Sequence, residues 1–149
     1  MIYQLLVLLH VLGACTWLGG HIVLVVAVLP DVRRRADITP ISAFESRFGR
    51  WALAALAVQI ATGAVLASRW LGGWSNILSR WTPATPYVLA KLALLVAILA
   101  LAGNAYHRVV PRLSPATLPD FELHTQVVTG LSVLFAVTGV LIRTGGVFL

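Results

Sequence analysis

The sequence predicts an all-α membrane protein, an antiparallel bundle of four transmembrane helices, and three observations predict it. Hydrophobic residues make up 59% of the 149 and charged residues only 11%, whereas soluble domains are close to half apolar and a quarter charged. Mean hydropathy is +0.91. Four stretches, each near the about 20 apolar residues that a span requires, contain a single charged side chain between them, Lys91. The expected helices cover about 3–29, 51–69, 87–108 and 121–145, within one transmembrane domain over 1–149.

The first stretch, Met1 to Pro30, has no Asp, Glu, Lys or Arg. It is too long for a signal peptide and lacks a basic lead and a small-residue cleavage site, so it reads as a retained first helix. The second, Trp51 to Ser68, is also uncharged. The third, Tyr87 to His107, carries only Lys91. It ends in PRLSPATLP, whose three prolines stop a helix sharply. The fourth, Leu123 to Ile142, is uncharged.

Four spans place both termini on one side. The opposite side holds Arg33, Arg34, Arg35, Arg47, Arg50, Arg108 and Arg112, against Arg69, Arg80 and Arg143 on the terminal side. The basic excess predicts that the first and third loops are cytoplasmic and the termini periplasmic, in a bacterial inner membrane. The net charge of +6 is thereby explained as orientation, not nucleic-acid binding. All five acids (Asp31, Asp37, Glu45, Asp120 and Glu122) fall on the basic side. The second loop carries Trp70, Trp74 and Trp81, which suit an anchor at the outer interface.

The candidate functional residues are ionisable groups within or at the ends of these apolar stretches: His10, His21, His107, His124 and Lys91. Such groups are expensive in a bilayer and usually face the protein interior, and neutral imidazole is a common metal ligand. On the first helix His10, Ala14, Trp17 and His21 form one stripe. His10 and His21 are eleven apart, which returns within about 20° and separates them by about 16 Å along the axis. Gly13, Gly19 and Gly20 would let a backbone or a flat ligand approach.

Depth predicts an outer pair, His10 with Lys91, and an inner cluster of His21, His107 and His124. Lys91 and His107 are sixteen apart, about 160° around an ideal helix. Both point inward only if the end of the third helix distorts. The alternatives are that Lys91 snorkels to the outer interface and that His107 meets headgroups beside Arg108. On the fourth helix His124 shares a face with Thr138, while Gln126, Thr129 and Ser132 add polar capacity. Gln59 and Thr62 on the second helix suit interhelical hydrogen bonds. Asp120 and Glu122 could orient His124 or simply favour a helix N-terminus.

The single cysteine, Cys15, excludes an intrachain disulfide and a CxxC motif. No carboxylate lies within the expected spans, which argues against hydrolase chemistry. Cu(I) prefers thiolate and thioether ligands, whereas imidazole suits Cu(II) or another borderline ion. Histidines in a helical bundle also suit heme b. A transmembrane heme would imply a redox protein or oxidoreductase exchanging electrons with quinol or a periplasmic protein. A third possibility is an accessory subunit with structural histidines, and a homodimer is compatible with all three.

HVLGACTWLGGHIVLVVAVLP, FESRFGRWALAALAVQIATGAVLA, KLALLVAILALAGNAYHRVVPRL and the final LIRTGG resemble the helices of the copper resistance protein D family. The resemblance implies an inner-membrane protein connected with copper uptake or homeostasis. The chain also resembles the small four-helix protoporphyrinogen oxidase family, in which a histidine of helix one and a lysine opening helix three are linked to heme b. Here these residues would be His10 and Lys91. This chain has VLVVAVLP where that family has an aromatic, arginine-rich end to helix one.

Overall fold

The structure, a computed structural model, describes residues 1–79, 81, 82 and 85–144. It contains four long helices: α1 Ile2–Arg35, α2 Thr39–Leu71, α3 Thr85–Arg112 and α4 Leu118–Thr144. All four are long and apolar enough to cross a membrane. There is no strand among the described residues. Arg80, counted above on the terminal side, and the closing Gly145 and Gly146 lie outside the described residues.

The helices outrun their apolar windows. At 1.5 Å per residue α1 is about 50 Å long, against a hydrocarbon core of about 30 Å. Hydropathy marks the part that meets lipid, and the arginine-rich ends on the basic side continue the helix beyond it. Two of these ends are irregular. α1 widens into a π-turn at Leu24–Val28 just before Pro30. α3 does the same at Ala105–Val109, then tightens into a 3-10 turn at Val110–Arg112 that contains Pro111. A proline removes one ladder N–H and crowds the preceding turn. A π-turn is a recognised way for a helix to absorb such a break.

Local chemistry sets the ends. α1 stops at Ala36, whose φ of 51° is left-handed. Asp37 then accepts hydrogen bonds from the Thr39 amide (2.9 Å) and hydroxyl (2.6 Å), which starts α2. Those bonds hold the exposed Asp37 carboxyl below its ordinary value. α2 ends at Gly72, φ 67°, where the next amide returns to the Ser68 carbonyl at 2.8 Å. This is the left-handed glycine stop. Before α4, the Ser114 amide donates to Thr117 Oγ1 at 2.9 Å and the Thr117 amide donates to Ser114 Oγ at 3.3 Å. A short helical turn, Asn76–Ser79, follows Gly72, and Trp70, Trp74 and Trp81 around it are exposed.

α1 packs along α2, α3 packs along α4, and α1 meets α4 to join the two hairpins. Among the described residues α2 and α3 make little direct contact, so the helices follow one another in the order α2, α1, α4, α3. Lipid is as apolar as leucine, so cohesion comes from close packing and interhelical hydrogen bonds. At mid-height Trp17, Ala52, Leu56, Ile98 and Val128, from all four helices, form one cluster. Leu24, Leu29, Val32, Ile41 and Phe121 form a second at the basic end. There Arg33 pairs with buried Glu122 at 2.7 Å. At the other end Arg143 donates to the Tyr3 hydroxyl at 2.9 Å, and the Arg69 guanidinium lies 5.8 Å from the Tyr3 ring centre.

Candidate functional site

The first-helix stripe is inward. Trp17 is buried, and His10, Ala14 and His21 are half-buried. His10 faces α2, where its Nδ1 lies 2.9 Å from Thr62 Oγ1. Thr62 gives its own proton to the Val58 carbonyl at 2.6 Å. Its oxygen therefore accepts from His10 Nδ1–H, leaving Nε2 of His10 with the lone pair. Gly63 makes room for this ring: a β-carbon there would lie 3.0 Å from His10 Cε1. Gln59 donates to the His10 carbonyl at 2.9 Å. The polar residues of the second helix thus serve interhelical hydrogen bonds, as their type suggests.

Lys91 does not snorkel. Its Nζ lies 4.4 Å from the Phe135 ring centre, a cation–π contact. It also rests on Gly139, where a β-carbon would come within 2.7 Å. Lys91 is within electrostatic reach of His10. His10 on α1 and Lys91 on α3 are thus each held by a neighbouring helix, His10 by Thr62 and Gly63 of α2 and Lys91 by Phe135 and Gly139 of α4.

The inner half differs from the expected three-histidine cluster. His107 lies within the π-turn of α3 and is exposed, edge-on to Tyr106 at 5.0 Å. The distortion of the helix end occurs, yet it leaves His107 outside. His21 and His124 do come together, within electrostatic reach of one another. They line one cavity of ≈ 540 Å³. His21 Nδ1 donates to the Trp17 carbonyl at 2.8 Å, so its Nε2 carries the lone pair. Its ring lies 4.6 Å from that of Trp17, and Trp17 Nε1 donates to Ser132 Oγ at 2.9 Å. His124 Nε2 is buried with no hydrogen-bond partner among the described residues.

Glu45 lines the same cavity. It has no ion-pair partner among the described residues. The hydropathy pattern places Glu45 in the first loop, ahead of a helix that opens at Trp51. The charged segment preceding Trp51 is helical, and that places Glu45 one turn before Gly49 on the cavity wall. Glu122, a candidate to orient His124, instead binds Arg33 and accepts from Gln126 at 3.1 Å. The glycines divide: Gly20 receives the Phe48 ring, Gly13 packs on the Ala55 carbonyl, and Gly19 meets nothing.

Among the described residues no three His, Cys, Asp or Glu side chains converge to enclose a metal ion. The arrangement offers two imidazoles at the inner cavity, each with an unengaged Nε2, and a carboxylate on the same wall.

Residues 42–142, more than half of the chain, match the family described as copper resistance protein D. The match covers Glu45, Lys91, His107 and His124 and begins after the helix that carries His10 and His21. No curated protein and no solved structure matches the chain.

Proposed function

The chain belongs to the copper resistance protein D family, and from that premise we propose that it handles copper as cargo within the membrane, between His21 and His124. The observation behind this reading is the state of the two imidazoles. His21 is fixed through Nδ1 to the Trp17 carbonyl, a backbone anchor typical of metal-ligating histidines. His124 shares its cavity and has an orphaned buried Nε2, a condition native proteins seldom leave uncorrected. Imidazole nitrogen with a nearby carboxylate suits Cu(II) better than Cu(I). Two side-chain donors leave the remaining positions to water or to a delivering partner, which is consistent with an ion that must leave again.

In this reading the arginine-rich ends face the cytoplasm and the termini face the periplasm of a bacterial inner membrane. A periplasmic copper or redox protein would then meet the Tyr3 end, and a homodimer would present two such sites.

The test is copper content per chain after Cu(II) loading and dialysis of the detergent-purified protein, with electron paramagnetic resonance for nitrogen ligation. Retention near one per chain is expected, lost in His21→Ala and His124→Ala and kept in His107→Ala, whose side chain is outside. Wild-type protein that retains no copper, or retention indifferent to both inner histidines, would overturn the reading.

One observation favours a second reading, heme b. A cavity of ≈ 540 Å³ is far larger than an ion requires and falls within the about 300–1,000 Å³ of small-molecule sites. His21 and His124 would hold the iron, and the group would supply one-electron transfer. A Soret band that shifts on dithionite reduction and disappears in His21→Ala would establish it. Neither copper nor a Soret band would leave the histidines as structural residues of an accessory subunit.

A further inference from the structure

The inner cavity is built for more than an ion. It is lined by residues of α2 and α3, including Leu53, Ala102, Ala105 and Tyr106, and among the described residues these two helices make little direct contact. Tyr106 is 64% exposed, so the cavity adjoins the outer surface of the bundle on that side. The walls are largely apolar; His21, His124 and Thr125 supply polar groups at one end, and Ser42, Glu45, Ser46 and Arg50 supply them from the start of α2. Thr125 already donates to the Phe121 carbonyl at 2.8 Å. His21 has only Nε2 left to offer, as an acceptor, and the Glu45 carboxylate is a second acceptor. An apolar occupant of small-molecule volume with hydroxyl groups at one end can donate to both of these acceptors.

We propose that the cavity binds a membrane-dissolved hydroquinone, which enters sideways between α2 and α3 and directs its ring hydroxyls to His21 Nε2 and the Glu45 carboxylate. A flat ring suits a space bounded by Trp17 and Phe48, and an alkyl tail remains in lipid through the gap. The rival occupants fit less well. An acyl chain would offer neither acceptor a hydrogen bond. A phosphate headgroup would be drawn to Arg50, which also lines the cavity, but repelled by Glu45. A second copy of the chain would offer an apolar helix face with no donors. The proposal concerns binding, and no bond is made or broken. It does not depend on the copper reading, although His21 serves both.

The experiment measures uptake of a radiolabelled decyl-tailed benzohydroquinone by the protein in nanodiscs, with empty nanodiscs subtracting its partition into lipid. A saturable component near one per chain is expected. Glu45→Gln and His21→Leu are expected to weaken it by at least about 10-fold, and Ala105→Trp, which fills the lateral entrance, to abolish it with helical circular dichroism retained. No saturable component would overturn the proposal, as would binding unchanged in all three variants, a tightly held phospholipid that the probe does not displace, or a dimer that excludes it. Copper is measured on the same samples. Ala105→Trp is expected to keep copper while losing hydroquinone, so the two readings fail separately.

Discussion

Trp17 and Ser132, 115 positions apart, share a buried hydrogen bond of 2.9 Å that fastens α1 to α4 at mid-height. Ser132 also donates to the Val128 carbonyl at 2.7 Å, so losing Trp17 does not strand it. Interhelical hydrogen bonds in membranes average about 0.6 kcal/mol and reach about 1.7. A double-mutant cycle of Trp17→Phe and Ser132→Ala, followed by reversible unfolding in mixed micelles, should give a coupling energy in that range. A coupling of zero would show that the bond holds nothing.

The hydroxyl of Thr62 fixes the tautomer of His10. Nitrogen-15 spectra of the labelled imidazole should report a proton on Nδ1 and none on Nε2 near neutral pH. Thr62→Val removes the acceptor and should give a mixture of tautomers, while Thr62→Ser should preserve the wild-type pattern. An Nε2-protonated ring in the wild type would refute the assignment.

Two glycines that resemble each other in sequence should respond oppositely to alanine. At Gly63 the new methyl would meet the rigid His10 ring at 3.0 Å, and the ring would have to leave its bond to Thr62. At Gly139 it would meet the far end of Lys91, which can swing aside. Gly63→Ala is expected to destabilise by about 1–3 kcal/mol, the usual cost of overpacking, and Gly139→Ala by less than about 0.5. Equal effects would contradict this reading of the two contacts.

The contrast between these glycines shows how far the sequence could be read. Spacing on one helix is local, so the inward stripe of His10, Ala14, Trp17 and His21 is legible. The inward turn of Lys91 is not, because Phe135 and Gly139 on α4 decide it. His107 depended on a π-turn whose sequence signal, a proline a few residues on, does not give its direction. Glu45 was hidden because a hydropathy window ends where lipid ends, and the helix does not.

The ion pair of Arg33 with Glu122 joins the end of α1 to the start of α4 at 2.7 Å. The arginine side chain is 64% exposed and the glutamate side chain 10%, so solvent screens much of the attraction. Arg33→Ala should cost about 0.5–1 kcal/mol, with the difference from wild type shrinking in high salt. A loss that is independent of salt would indicate packing by the arginine stem instead.

Asp37 titrates below its ordinary value because the Thr39 hydroxyl and amide donate to its ionised form. The folded value is depressed, so this contribution is present above the unfolded value of about 3.9 and is lost as pH falls through the folded one. Hydrogen exchange at the Thr39 amide should be insensitive to the state of Asp37 from pH 5 to 8 and should accelerate beyond its intrinsic pH trend only in acid. Asp37→Ala should show the faster exchange at every pH.

The order of the helices has a consequence for biogenesis. α1 pairs with α2 and α3 pairs with α4, and among the described residues the α1–α4 seam is the main contact between the two pairs. Nothing in the packing requires the two pairs to be inserted by one continuous polypeptide. Fragments severed after Gly73 and expressed together should find each other in the bilayer and copurify, with Trp17 and Ser132 acting as the recognition contact between the halves.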